Sequence, residues 1–187
     1  MQPEEITETL SELFGEMVSQ PDETAWQVEA SAFRLLVLLS EDRSWMRILL
    51  PIAPINAAKN IFDKLLEANF DLTQETRYAI HQDIIWGVFQ GSRENFNPAD
   101  FRAAIATLLA LQERGLSEFY NQRIEDQIRQ IIRMAKQQGQ SMEATLQNLN
   151  RLYSEGLMGE MEAGAENRER TLAAWRYQLE RLWPEVE

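Results

Sequence analysis

His81 is the single histidine of this 187-residue chain, and Asp83 follows two residues later in "RYAIHQDIIWGVFQ" (77 to 90). A Ser-His-Asp site would need His81 as its base, held by a carboxylate and set beside a nucleophile. Asp83 is near in sequence only, and the chain has no "GxSxG" elbow. One histidine cannot supply a two-histidine metal motif, and there is no "HExxH", P-loop or GxGxxG. Glu155, Glu160, Glu162 and Glu166 cluster in the Gly-punctuated joint "SEGLMGEMEAGAE", and paired carboxylates can serve acid–base or cation sites. Their spacing matches no coordination loop, so they read as an acidic, solvated linker. We therefore predict no catalytic residue, no metal ligand and no cofactor, and expect the chain not to be an enzyme. His81 reads as part of a hairpin turn, with Gln82 and Asp83 completing the polar link.

Charge and composition narrow the partners. The net charge is −12, and residues 1 to 30 hold eight acids and no base (Glu4, Glu5, Glu8, Glu12, Glu16, Asp22, Glu23, Glu29). Such a chain repels phosphate backbones and anionic lipid, so no nucleic-acid partner is expected. The acidic segment reads as a solvated face or as a surface for a basic partner. The longest apolar run, "LLVLL" (35 to 39), fits a strand and is far too short to span a membrane. "MQPEEITETL" lacks signal-peptide character, and cysteine is absent, which fits a reducing cytosol; a cytoplasmic location without membrane insertion is expected.

The elements follow from periodicity. Ile6, Leu10, Leu13, Phe14, Met17 and Val18 predict a helix over 3–19 opened by Pro3. "TAWQVEA", "AFRLLVLL" and "SWMRILLPI" predict three antiparallel strands, the last ended by Pro51 and Pro54. A helix over 57–69 capped by Asn56 comes next, then the strands "RYAI" and "IIWGVFQ". Asn97 and Pro98 then open a helix running to Gly115. Beyond Gly115 only helices are predicted. The first has the stripe Ile124, Ile128, Ile131 and Ala135, the second is capped by Ser141, and the last carries Trp175 and Trp183 on one face, to dock the tail or to stand exposed.

The expected fold class is thus α+β: an α-β-β-β-α-β-β-α core with an antiparallel sheet over residues 1–115, followed by a helical C-terminal extension, 116–187. The strings "RLLVLLSEDRSWMRILLPIAP", "KLLEANF", "IIWGVFQ" and "FNPADFRAAIATLLAL", in that order, resemble the class I type III secretion chaperones and the bacterial sensory-transduction-regulator-like proteins that share their fold. The resemblance implies a small, acidic, non-catalytic homodimer that holds extended segments of partner proteins on apolar patches and strand edges. It covers about three-fifths of the chain and does not extend to the helical extension.

Strand alternation points the same way independently. Leu35, Val37 and Leu39 face opposite to Leu36 and Leu38; Met46, Ile48 and Leu50 face opposite to Trp45, Arg47 and Leu49; Ile84, Trp86 and Val88 face opposite to Ile85, Gly87 and Phe89. One face should pack on helices, and the other remains too apolar for bare water. Leaving several such side chains wet forfeits about 1.5–3 kcal/mol each. The cover is the chain's own C-terminal helices, a second copy, or a foreign segment. The predicted function is a non-enzymatic protein-binding module, chaperone- or adaptor-like, capturing an apolar partner segment through Leu36, Leu38, Trp45 and Leu49. The alternative is a structural or assembly factor that binds through the C-terminal helices.

Overall fold

The computed structural model describes residues 1–94, 96–154 and 165–187 and, within them, the side chains outside 153–171. Pro3 sits in the first turn of helix α1 (Pro3–Phe14), and the Gln2 amide N–H donates to Glu5 Oε2 at 2.6 Å, half of a capping box. The helix buries Ile6 and Leu10 but stops at Phe14, short of the expected residue 19. Gly15, at φ +58°, takes the left-handed turn that a side chain disfavours. Val18 then opens a strand missing from the expected order, β1 (Val18–Asp22), with Val18 opposite Val28 and Ser19 opposite Gln27. Met17 and Val18 continue the helical stripe in sequence, yet pairing with the next strand decides their conformation.

The sheet has six antiparallel strands in the order β1-β2-β3-β4-β6-β5. They include β2 (Ala25–Glu29), β3 (Arg34–Leu39), β4 (Trp45–Pro54), β5 (Thr76–His81) and β6 (Ile84–Ser92). Pro51 does not end β4. The strand continues to Pro54 because the register shifts between Pro51 and Ala53, a bulge that tolerates the absent N–H. Gln82 and Asp83 both have positive φ, 48° and 59°, and form the two-residue turn joining β5 to β6, as read from the sequence. The helix expected over 57–69 is a 3-10 turn, Ile55–Ala58, followed by α2 (Phe62–Asp71), so Asn56 caps nothing. Helix α3 (Pro98–Arg114) has the expected cap: Asn97 Oδ1 accepts from the N–H groups of Ala99 (2.8 Å) and Asp100 (3.0 Å).

The fold class is α+β, with one strand more than expected. The chain divides into two compact units, Met1–Tyr120 and Asn121–Glu187, the division falling within α4 (Ser117–Gln137). In the first unit, α1 and α3 pack on Trp26, Leu35, Val37, Met46, Ile48 and Leu50. Trp26 is fully buried, its Nε1 donating to Thr7 Oγ1 at 2.8 Å. A Cβ on Gly87 would lie 3.1 Å from Leu108 Cδ2, so a bare backbone there lets α3 approach the sheet closely. A second cluster joins α2 to the sheet through Leu65, Ala68, Tyr78 and Ile85, and Phe119 stacks edge-on to Tyr78 at 5.6 Å. The acidic N-terminal segment is partly paired: Glu12 holds Arg102, Glu23 holds Arg43 at 2.6 Å, and Glu29 holds Arg34.

The second unit contains α5 (Met142–Ser154) and α6 (Ala165–Leu182) with most of α4. Ile128, Ile132, Leu149, Leu179, Leu182 and Val186 form its core, with Trp175 and Trp183 packed against them. Both tryptophans therefore dock, and the α4 stripe runs through Ile132 where Ile131 was expected, leaving Ile124 exposed. Glu125 binds Arg129 (2.9 Å) and Arg181 (2.7 Å), and Arg129 reaches Glu185 at 2.6 Å. The Arg181 and Arg129 guanidiniums hold the Glu125 carboxyl below its ordinary pKa. Glu155, Glu160 and Glu162 lie outside the described residues, as does the side chain of Glu166.

Candidate binding surface

The strand side chains in the two cores of the first unit come from one face of the sheet. The opposite face has its own apolar rows. Leu36 pairs with Leu49, Leu49 with Val88, and Val88 with Arg77, so one row crosses four strands. Beside it, Leu38 pairs with Ala25 on one side and Arg47 on the other, and Arg47 with Gln90. Trp45 lies near the end of this face, with the Arg47 guanidinium 4.9 Å from its ring centre. The structure thus puts Leu36, Leu38, Trp45 and Leu49 on one half-buried surface, and none of them belongs to either core.

The alternation of β6 places Trp86 on this face too. It is half-buried rather than core, and its Nε1 donates to the His81 carbonyl at 3.1 Å. A groove of about 230 Å³ opens here, lined by Arg47, Leu49, Arg77, His81, Trp86 and Gln90 among others. Sequence reading missed this groove. Arg47 was placed on the second face, but Arg77, His81 and Gln90 reach it only through the β4–β6 and β5–β6 registers, which no local pattern encodes. His81 is exposed at the end of β5.

A second apolar surface lies at the β5 edge. Leu66, Phe70 and Ile80 are 69%, 89% and 53% exposed, and a groove of about 230 Å³ beside them is lined by Phe62, Leu65, Tyr78 and Ile85. The outer edge of β5 is not free along its length, because Asn69 of α2 occupies it at Tyr78. Burial raises the pKa of the Tyr78 hydroxyl. Among the described residues no group of three or more His, Asp or Glu side chains could hold a metal, and no helix is long and apolar enough to cross a membrane.

No protein-family model and no curated protein matches the chain. Solved structures do. The chain is similar in fold to a chain of the HopA1–SchA chaperone–effector complex, at 11% identity over 58% of this chain and 87% of that one, with a TM-score of 0.47. It is also similar to a chain of the Yersinia pestis type III secretion chaperone SycH in complex with a fragment of YscM2 (12% identity, 58% and 93% covered, TM-score 0.46). A third is a chain of the ExoU–SpcU heterodimer from the type III secretion system of Pseudomonas aeruginosa (10% identity, 58% and 93% covered, TM-score 0.48).

Proposed function

We propose that this chain is a non-enzymatic protein-binding module, chaperone- or adaptor-like, which holds an extended apolar segment of a partner protein on the second face of its sheet. The observation that carries this reading is the half-buried Leu36–Leu49 pair, continued in register by the buried Val88 and shared with neither core. Such a row retains a hydrophobic driving force that a partner's side chains satisfy. Capture from native lysate tests it. Leu38→Asp combined with Trp45→Glu should abolish retention of a partner that the unaltered chain holds, with the melting curve preserved. A folded double variant that still holds the partner removes this face from consideration.

Self-association as a homodimer belongs to the same proposal. The exposed Leu66, Phe70 and Ile80 support it, since an exposed patch of this kind beside a sheet edge favours burial against another surface. The alternative reading, an assembly factor binding through the C-terminal helices, is supported by one feature of the second unit. A groove of about 350 Å³ is lined by Ile131, Met134, Ala135, Leu149 and Leu152. Loss of the captured partner on Met134→Glu, with no loss on Leu38→Asp and Trp45→Glu, would favour it.

A further inference from the structure

The second-face groove brings two arginines, Arg47 and Arg77, together. Arg34, Arg43, Arg102, Arg129 and Arg181 each hold a carboxylate. Arg47 and Arg77 hold none among the described residues. Both point at one neutral acceptor, Gln90 Oε1, which receives Arg47 Nε at 3.3 Å, an Arg47 terminal nitrogen at 3.2 Å and an Arg77 terminal nitrogen at 3.4 Å. These contacts are long for guanidinium hydrogen bonds, and an amide oxygen offers no charge to two cations. The groove lining contains His81 and no acid, although the chain carries a net charge of −12. Its floor is apolar, with Leu49 and Val88 on one side of the arginines and Ala79 and Trp86 further along.

Resting on the protein-binding reading, we infer that the partner segment presents a carboxylate side chain between Arg47 and Arg77, flanked two residues away by apolar side chains. The spacing follows from strand geometry. In an extended chain, residues i and i+2 face the same way and lie about 6.5–7 Å apart, the same repeat that separates Gln90 from Val88 on β6. A carboxylate on the arginines therefore sets one alternate neighbour over the Leu49–Val88 pair and the other toward Trp45, which is two residues before Arg47 on β4. Two planar guanidiniums converging on one point suit a carboxylate's two oxygens, and the apolar floor selects a peptide over a nucleic acid or a free anion. The acidic side chain fixes the register of the captured segment, which apolar contact alone leaves loose.

The test uses the full ¹⁵N-labelled chain and follows the Nε–H resonances of Arg47 and Arg77. The probes are short blocked peptides with leucine two residues to either side of a central glutamate or a central glutamine, and sodium acetate alone. The glutamate peptide should shift both arginine resonances and bind about tenfold more tightly than the glutamine peptide. Arg47→Gln with Arg77→Gln should bring the glutamate peptide to the affinity that the glutamine peptide has for the same variant. Arg47→Lys with Arg77→Lys, which keeps the charge without the fork, should restore part of the difference. Equal affinity of the two peptides overturns the inference while leaving the apolar second-face reading intact. Binding of neither peptide, an equal response to acetate, or the same shifts on merely concentrating the chain also overturns it, the last because the occupant is then a second copy.

Discussion

Asn69 grips the main chain of Tyr78 with both ends of its amide. Its Oδ1 accepts the Tyr78 N–H at 2.7 Å, and its Nδ2 donates to the Tyr78 carbonyl at 3.1 Å. A side chain from α2 thus takes the place that a neighbouring strand would occupy at the edge of β5. Thr76 N–H, next outward along that edge, donates to Thr73 O at 2.9 Å. Addition of a partner strand at Tyr78 therefore requires Asn69 to leave.

Asn69→Ala should destabilise the chain by about 1–3 kcal/mol, the usual result of stripping a buried peptide group of its partners. It should also raise strand-mediated aggregation on prolonged incubation, since an unblocked edge templates pairing. Urea denaturation and light scattering read the two effects. Unchanged stability would mean that the amide contributes nothing to the edge.

With β5 blocked at Tyr78, the proposed homodimer rests on side chains rather than on a continuous sheet. Phe70→Glu should convert it to monomer at micromolar concentration, as judged by light scattering, without lowering the melting temperature of the monomer. A monomeric mass for the unaltered chain under the same conditions counts against the dimer altogether.

Trp26 and Trp86 separate core from surface. Trp26 is fully buried with its indole nitrogen bonded to Thr7, whereas Trp86 lies half-exposed on the second face. Trp26→Ala should cost about 3–5 kcal/mol and Trp86→Ala about 1–2 kcal/mol, because less apolar area leaves water at the second site. His81→Asn should change stability by no more than roughly 0.5 kcal/mol. A denaturant series ranking Trp86 above Trp26 would contradict the placement of the two faces.

The β3–β4 turn carries a pH signature. Asp42 Oδ1 accepts from Ser40 Oγ at 2.5 Å, from the Ser44 N–H at 3.0 Å and from Ser44 Oγ at 2.8 Å. The Ser40 hydroxyl, followed by the Ser44 donors, pulls its carboxyl from 3.8 down to about 2. A depressed folded-state value means that the turn's contribution is fully present above the unfolded value near 3.8 and is lost as pH falls toward 2. A carbon-detected titration should place the Asp42 midpoint near 2, and Ser40→Ala should move it upward.

Locally encoded features were legible in the sequence. Asn97 followed by Pro98, Gly115 after the helix, the polar turn at Gln82 and Asp83, and the alternation that groups Leu36, Leu38, Trp45 and Leu49 all depend on residues within a few positions of one another. Non-local pairing decided the rest. Val18 became a strand because Val28 lies opposite it, although its own neighbours extend a helical stripe. Parity alone left open which face of "IIWGVFQ" is core, and packing of Leu108 against Gly87 settles that. The groove draws on β4, β5 and β6 together, so its composition exists in the registers rather than in any one segment.

The strand order has a consequence for assembly. Strands β1 to β4 form one meander and β5 with β6 one hairpin, each closed by short connections; a single ladder, β4 against β6, stitches these blocks together across α2. The second-face groove straddles that seam, taking Arg47 and Leu49 from one block and Arg77, Trp86 and Gln90 from the other. It has no existence before the blocks have docked. The segment proposed to sit there would bind only the finished sheet and, by mass action, would hold the seam shut. Under the proposed function, segment and sheet would thereby proofread each other: an incompletely assembled chain would have nothing to offer, and a loaded one would be harder to unzip.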